Sequence, residues 1–301
     1  MSPPTPGSKS HIEFLKGLAI LAVVIIHLIN VFISRLAPHG TSWNLLVIAD
    51  QFTRFSVPLF VALSGFALAQ KYASRPPHYW EFFTRRSFKL IPPYLLWSAV
   101  YILAALIVPA WATFSGGTPL WEVILFGKAQ YHLYFVPMLF QAYLIFPFLF
   151  AFSRKFPQIA LILAFAVQFI SFTLTGGEGW NDQRQYLLLT SWIFYFVLGL
   201  VMNSIGYRIK YLGIVLAVIG LAWSVSDTFN LLDIGRDHIW SARFTRFPVW
   251  FYSLGFILFT PLLTGAHLGK TVRGWITRLG ANSYVIYLSH ILCLQLLTLV
   301  I

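Results

Sequence analysis

Residues 14–32 read FLKGLAILAVVIIHLINVF. An α-helix needs about 20 such residues to cross the hydrocarbon of a bilayer. Lipid offers no hydrogen bonds, so a spanning segment must satisfy its own backbone, and a helix does so. Comparable segments recur near 12–33, 44–70, 90–110, 131–152, 157–175, 186–205, 211–228, 247–265 and 281–301. Only 10% of the residues are charged and 58% are hydrophobic, against about 25% charged in soluble proteins. Such a chain cannot cover a water-facing surface. The expected fold is an all-α polytopic membrane protein, a bundle of about nine to ten transmembrane helices. A tenth helix is to be sought within 111–130 or 229–246. Residues 1–11 read as a short cytoplasmic N-terminal tail and 12–301 as a single transmembrane domain. The first apolar run is longer than the ~7–15 residues of a signal-peptide core and no small-residue cleavage site follows, so it is kept as a span. The single cysteine, Cys293, excludes an internal disulfide and reads as a packing residue.

The net charge is +12. With the N-terminus inside, fourteen lysines and arginines fall on the inner side, among them Lys9, Arg208, Lys270, Arg273 and Arg278, and six outside, among them Arg35, Lys128 and Arg184. That bias orients the helices with the N-terminus in the cytoplasm. Glu178, Asp182, Asp233 and Asp237 are then outside. Trp111, Trp121, Trp180 and Trp240 suit the aromatic belt at the interface, with a sugar-stacking platform as the alternative. No loop is long enough to build a basic, aromatic nucleic-acid surface.

Ionisable groups inside a membrane are costly and mark function or pairing. Lys16 and His27 are eleven residues apart, roughly 16 Å along a helix and on nearly one face. Lys16 snorkels to the cytoplasm or serves a site. His27, near the midplane, is a hydrogen-bonded structural histidine or a proton handler. Asp50 and Arg54 stand at i, i+4, either a buried ion pair or a substrate contact. Pro58 and Ser64-Gly65 loosen the same helix and let another backbone approach. Arg85, Arg86 and Lys89 cluster in an inner loop just before a helix, where they attract phosphates or anchor the chain to anionic lipid. Pro92-Pro93 marks a break or the first turn of that next helix. His132 and Gln141 sit on the fourth helix, and Tyr284 and His290 on the last, with His290 deep enough to share a cavity with His27. No zinc, Walker or G-x-S-x-G pattern occurs, and no metal site is expected. The acidic residues are too few and peripheral for a proton-coupled pathway.

Five ordered blocks carry a resemblance: Lys16-(ten residues)-His27, VPLFVALSGF (57–66), RRSFKLIPPY (85–94), HLYF (132–135) and SYVIYLSH (283–290). Over nearly its whole length the chain resembles the acyltransferase-3 family of integral membrane acyltransferases, with lysine where many members have arginine at 16 and 89. The resemblance implies movement of an acyl group, commonly acetyl, from cytosolic acyl-CoA to a hydroxyl of an extracytoplasmic glycan or lipid-linked sugar. It implies His27 as general base, or as carrier of a transient acyl group. Lys16, Arg85, Arg86 and Lys89 would hold the donor, and Asp50, Arg54, Ser64, His132, Gln141, Tyr284 and His290 would line the cavity or acceptor side. It implies acyl-CoA as co-substrate with no bound cofactor, and a bacterial cell membrane as location. The alternatives are a non-enzymatic polysaccharide or lipid translocator and, more weakly, a sensor of anionic lipid headgroups.

Overall fold

A computed structural model describes residues 9–175, 182–205, 209–265 and 268–299. Glu178, Trp180 and Arg208 lie outside the described residues, as do the side chains of Asp182 and Arg184. The described chain is helical: α1 (Lys9–Ile33), α2 (Thr41–Thr53), α3 (Ser56–Lys71), α4 (Tyr79–Ile107), α5 (Leu120–Leu125), α6 (Phe135–Lys155) and α7 (Pro157–Thr175), then α8 (Asp182–Leu187), α9 (Ile193–Ile205), α10 (Lys210–Asp233), α11 (His238–Ser241), α12 (Phe247–Gly265), α13 (Lys270–Ala281) and α14 (Ser283–Thr298). The protein is an all-α polytopic membrane protein. Among the described residues seven spans are long and apolar enough to cross a bilayer, or eight if α13 and α14 count as one bent span.

Seven of the nine segments expected from hydropathy are spans of this kind. The other two differ. Segment 186–205 holds only a short apolar helix, Ile193–Met202, too short at 1.5 Å per residue to cross unaided. The last segment begins earlier than expected. α13 and α14 meet at an angle of 84°, and the basic, amphipathic α13 exposes Trp275 to 60%, the mark of a helix lying at an interface. No tenth span lies in 111–130 or 229–246; those stretches carry the short helices α5 and α11.

The chain divides into two compact units, residues 1–67 with 202–301, and residues 68–201. In the first, α10 and α12 pack closely. A Cβ on Gly220 would lie 2.4 Å from the Tyr252 nitrogen and one on Gly255 2.2 Å from the Ala217 nitrogen. Without a hydrophobic drive between helices in lipid, small residues that let backbones meet supply the attraction. α1 meets α13 in the same way, through Gly17 against the Ile276 backbone.

Proline shapes two spans. Pro58 has no N–H to give to the carbonyl of residue 54, and its ring crowds that carbonyl. The span Thr41–Lys71 accordingly breaks there: α2 ends at Thr53, Arg54 caps it, and α3 starts at Ser56 with Pro58 in its first turn. In the second unit α4 runs on through Pro92 and Pro93. This corrects two expectations. Arg85, Arg86 and Lys89 lie within a helix, not in a loop before one, and Pro92-Pro93 is neither a break nor a first turn. Spanning helices tolerate proline where neighbours satisfy the freed carbonyls.

Candidate functional site

α1 carries Lys16 and His27, both half-buried, in one unbroken helix. α14 brings His290 beside His27, with ring centroids 5.1 Å apart and planes inclined at 43°. His290 turns Nδ1 to carbonyl oxygens of its own helix, at 2.7 Å from Tyr287 and 3.2 Å from Ile286. A carbonyl only accepts, so Nδ1 carries the proton and Nε2 is the basic nitrogen of the neutral ring. Tyr287 flanks His290 with its ring centroid 6.1 Å away, and the half-buried Tyr284 stands one turn earlier on α14.

α2 builds a second cluster in the same unit. The Asp50 carboxylate is fully buried and Arg54 is 6% exposed. Arg54 donates through Nε at 3.0 Å to Oδ2 and through Nη2 at 2.7 Å to Oδ1, a fork matched to the carboxylate. Gln51 Nε2 donates to Asp50 Oδ2 at 3.1 Å, and Ser224 Oγ of α10 donates to Gln51 Oε1 at 2.7 Å. The Arg54 guanidinium lies 4.9 Å from the centre of the Phe244 ring. Its positive charge also acts on His27.

Sequence reasoning missed His238. It sits on α11, with Nε2 3.8 Å from Asp50 Oδ2 and its ring edge-on to Trp43. Burial lowers its pKa below 6.5, Asp50 pulls it back, Arg54 lowers it and Asp237 raises it. The imidazole is therefore neutral at pH 7. A lone histidine in an aromatic loop carries no spacing signal toward a carboxylate on α2, and only the fold brings them together.

Ser64 lies in this unit too, but its hydroxyl donates to the Phe60 carbonyl of its own helix at 2.8 Å.

The other expected site residues belong to the second unit. On α4, Arg85 pairs with Glu81 at 2.7 Å at the surface, Arg86 stands over the Tyr143 ring at 5.7 Å, and Lys89 is exposed. His132 is buried just before α6, edge-on to Tyr101 at 5.5 Å and to Tyr131 at 6.0 Å. Gln141 spends both ends of its amide on the turn before α9: Nε2 donates to the Leu187 carbonyl at 2.8 Å, and Oε1 accepts from the Leu189 amide at 3.2 Å. It is a structural staple rather than an open contact. Among the described residues no three His, Cys, Asp or Glu side chains gather as metal ligands would.

In the first unit the rings of two histidines from different helices meet, and in the second three basic residues gather on α4. The family model described as an acyltransferase domain, that of acyltransferase-3, matches residues 10–301. The chain belongs to the acyltransferase-3 family. It is an acyltransferase built from membrane-spanning helices. No curated protein and no solved structure matches it.

Proposed function

We propose that the protein is an O-acyltransferase that takes an acyl group, acetyl in the first instance, from cytosolic acyl-CoA and gives it to a hydroxyl of an extracytoplasmic glycan or lipid-linked sugar. The observation that carries this reading is the His27–His290 pair inside the spans of an acyltransferase-family chain. His27 is the general base. It takes the hydroxyl proton as the acceptor oxygen attacks the thioester carbonyl, and it returns that proton to the departing CoA sulfur. The O–C bond forms, the C–S bond breaks, and free CoA leaves. His290, its ring centroid 5.1 Å from that of His27, orients the His27 ring by packing against it.

Arg85, Arg86 and Lys89 hold the donor's phosphates, Arg86 with the geometric fork that lysine lacks. Lys16 lies eleven residues before His27, toward the end of α1 from which a cytosolic donor would enter. With the N-terminus inside, as the basic residues favour, donor and acceptor reach His27 from opposite sides. The cell membrane, of a bacterium by the resemblance, is the location that fits this reading.

The test is binding and turnover of acetyl-CoA by the purified protein in detergent, with a thermal melt on every variant. Arg86→Ala is expected to lose binding, and His27→Ala to bind but turn over nothing. If wild-type protein neither binds nor consumes acetyl-CoA or longer acyl-CoAs, the donor assignment fails. Glycan movement without thioester loss would instead identify a translocator.

A further inference from the structure

Arg54 sits where the second span is broken, and its bonds leave one edge of the guanidinium unspent. The hydrogen bonds to Asp50 use Nε and Nη2; none among the described residues uses Nη1. Asp50 is itself held by Gln51, and Gln51 by Ser224, so the fork is fixed in place. Two residues on, Ser56 opens α3. Its hydroxyl is fully buried and has no hydrogen-bond partner, and a buried polar atom in that condition calls for an explanation. It stands at the N-terminus of a 16-residue helix, the end that favours negative charge. Irregular backbone at membrane depth is tolerated where it lines a cavity or a site.

The break lies at the end of α2, which packs against α1, the helix that carries His27. Ile29 and Ile33 of α1 share one apolar cluster with Trp43 and Val47 of α2. The two helices are consecutive spans and run antiparallel. At 1.5 Å per residue, His27 comes level with Asp50, and Arg54 lies roughly one turn beyond.

We infer that this break is where negative charge on the acyl carbonyl oxygen is held during transfer, by the Nη1 edge of Arg54 and the Ser56 hydroxyl. The inference rests on the acyl-transfer reading above. When the acceptor oxygen adds to the thioester, its proton passes to His27 and the carbonyl oxygen becomes anionic. Arg54 and Ser56 donate hydrogen bonds to that oxygen and keep their own protons. As the C–S bond breaks, the carbonyl re-forms and the proton goes to the CoA sulfur. Asp50 is a positioning residue, which aims Arg54 without touching the acyl group.

The experiment uses full-length protein in detergent, acetyl-CoA as donor and water as acceptor, with CoA release and acetyl-CoA binding measured separately. Loss of one such donor costs about 10²–10³-fold in turnover. Arg54→Lys keeps the charge beside Asp50 and loses the fork. It is expected to bind acetyl-CoA within about twofold of wild type and to fall by that factor in kcat. Ser56→Ala is expected to fall about tenfold or more with the melt unchanged, since its hydroxyl supports no other group. Wild-type turnover in both variants overturns the inference while leaving acyl transfer intact. So does a loss that follows weakened binding or a lowered melt. If wild type itself consumes no acetyl-CoA, the acyl-transfer reading fails first and this one with it.

Discussion

Gly280 of α13 lies so near Glu13 of α1 that a Cβ on it would fall 1.7 Å from the Glu13 carbonyl oxygen. The neighbour is backbone and cannot swing aside. Gly280→Ala must therefore push α13 off α1, and overpacking of this kind costs about 1–3 kcal/mol or more. The expected outcome is a lower midpoint in SDS or thermal unfolding. Gly274→Ala is the control, because a Cβ there meets nothing within 4 Å. Equal midpoints for the two would show that the α1–α13 contact does not limit stability.

The Asp50–Arg54 pair is buried at both ends, at 0% and 6% exposure. Removing one partner leaves an uncompensated charge and costs about 3–5 kcal/mol, whereas replacing both with apolar groups is near neutral. Arg54→Met alone is expected to unfold early, and Asp50→Leu with Arg54→Met to recover most of the loss. A double variant no better than the single one would mean that Gln51, which also donates to the carboxylate, and Ser224 behind it depend on Asp50.

His238 gives the fold a pH dependence. Its pKa is lowered in the folded protein, chiefly by burial. The unfolded chain therefore binds more protons between the folded value and about 6.5, and stability rises with pH across that window. The contribution is fully present above about pH 6.5 and is lost as the pH falls below it. Unfolding midpoints measured from pH 8 down to pH 5 are expected to drop less steeply in His238→Gln than in wild type. Parallel curves would remove His238 as a cause.

Gln141→Leu strands the Leu187 carbonyl and the Leu189 amide. Both bonds are only partly buried, so the cost falls at the low end of the about 1–3 kcal/mol of a buried group left without its partner. Hydrogen exchange of the amides around 187–192 is expected to speed up in the variant, with α10–α12 exchange unchanged. Uniform acceleration across the chain would instead indicate global destabilisation.

Much of the fold was legible because hydropathy over about 20 residues reads membrane spans directly. α13 escaped that reading: Lys270, Arg273 and Arg278 make it look like a loop, and only its seat against Gly17 and Phe14 reveals a helix. The continuity of α4 escaped for the opposite reason. Two prolines argue for a break in sequence, and neighbours in lipid override them. In the candidate site, Asp50 with Arg54 was readable from i, i+4 spacing. The meeting of His27 with His290 depends on α14 packing against α1, and that of His238 with Asp50 on where α11 lands. The similar depth of the two histidines points to a shared cavity, whereas no local pattern encodes the meeting at Asp50.

The bond from His290 Nδ1 into its own helix has a consequence for the ring itself. That nitrogen is tethered to the carbonyl oxygens of Ile286 and Tyr287, which have no proton to give. Those two bonds hold the His290 ring in one tautomer, with the proton on Nδ1, and leave Nε2 as its accepting edge.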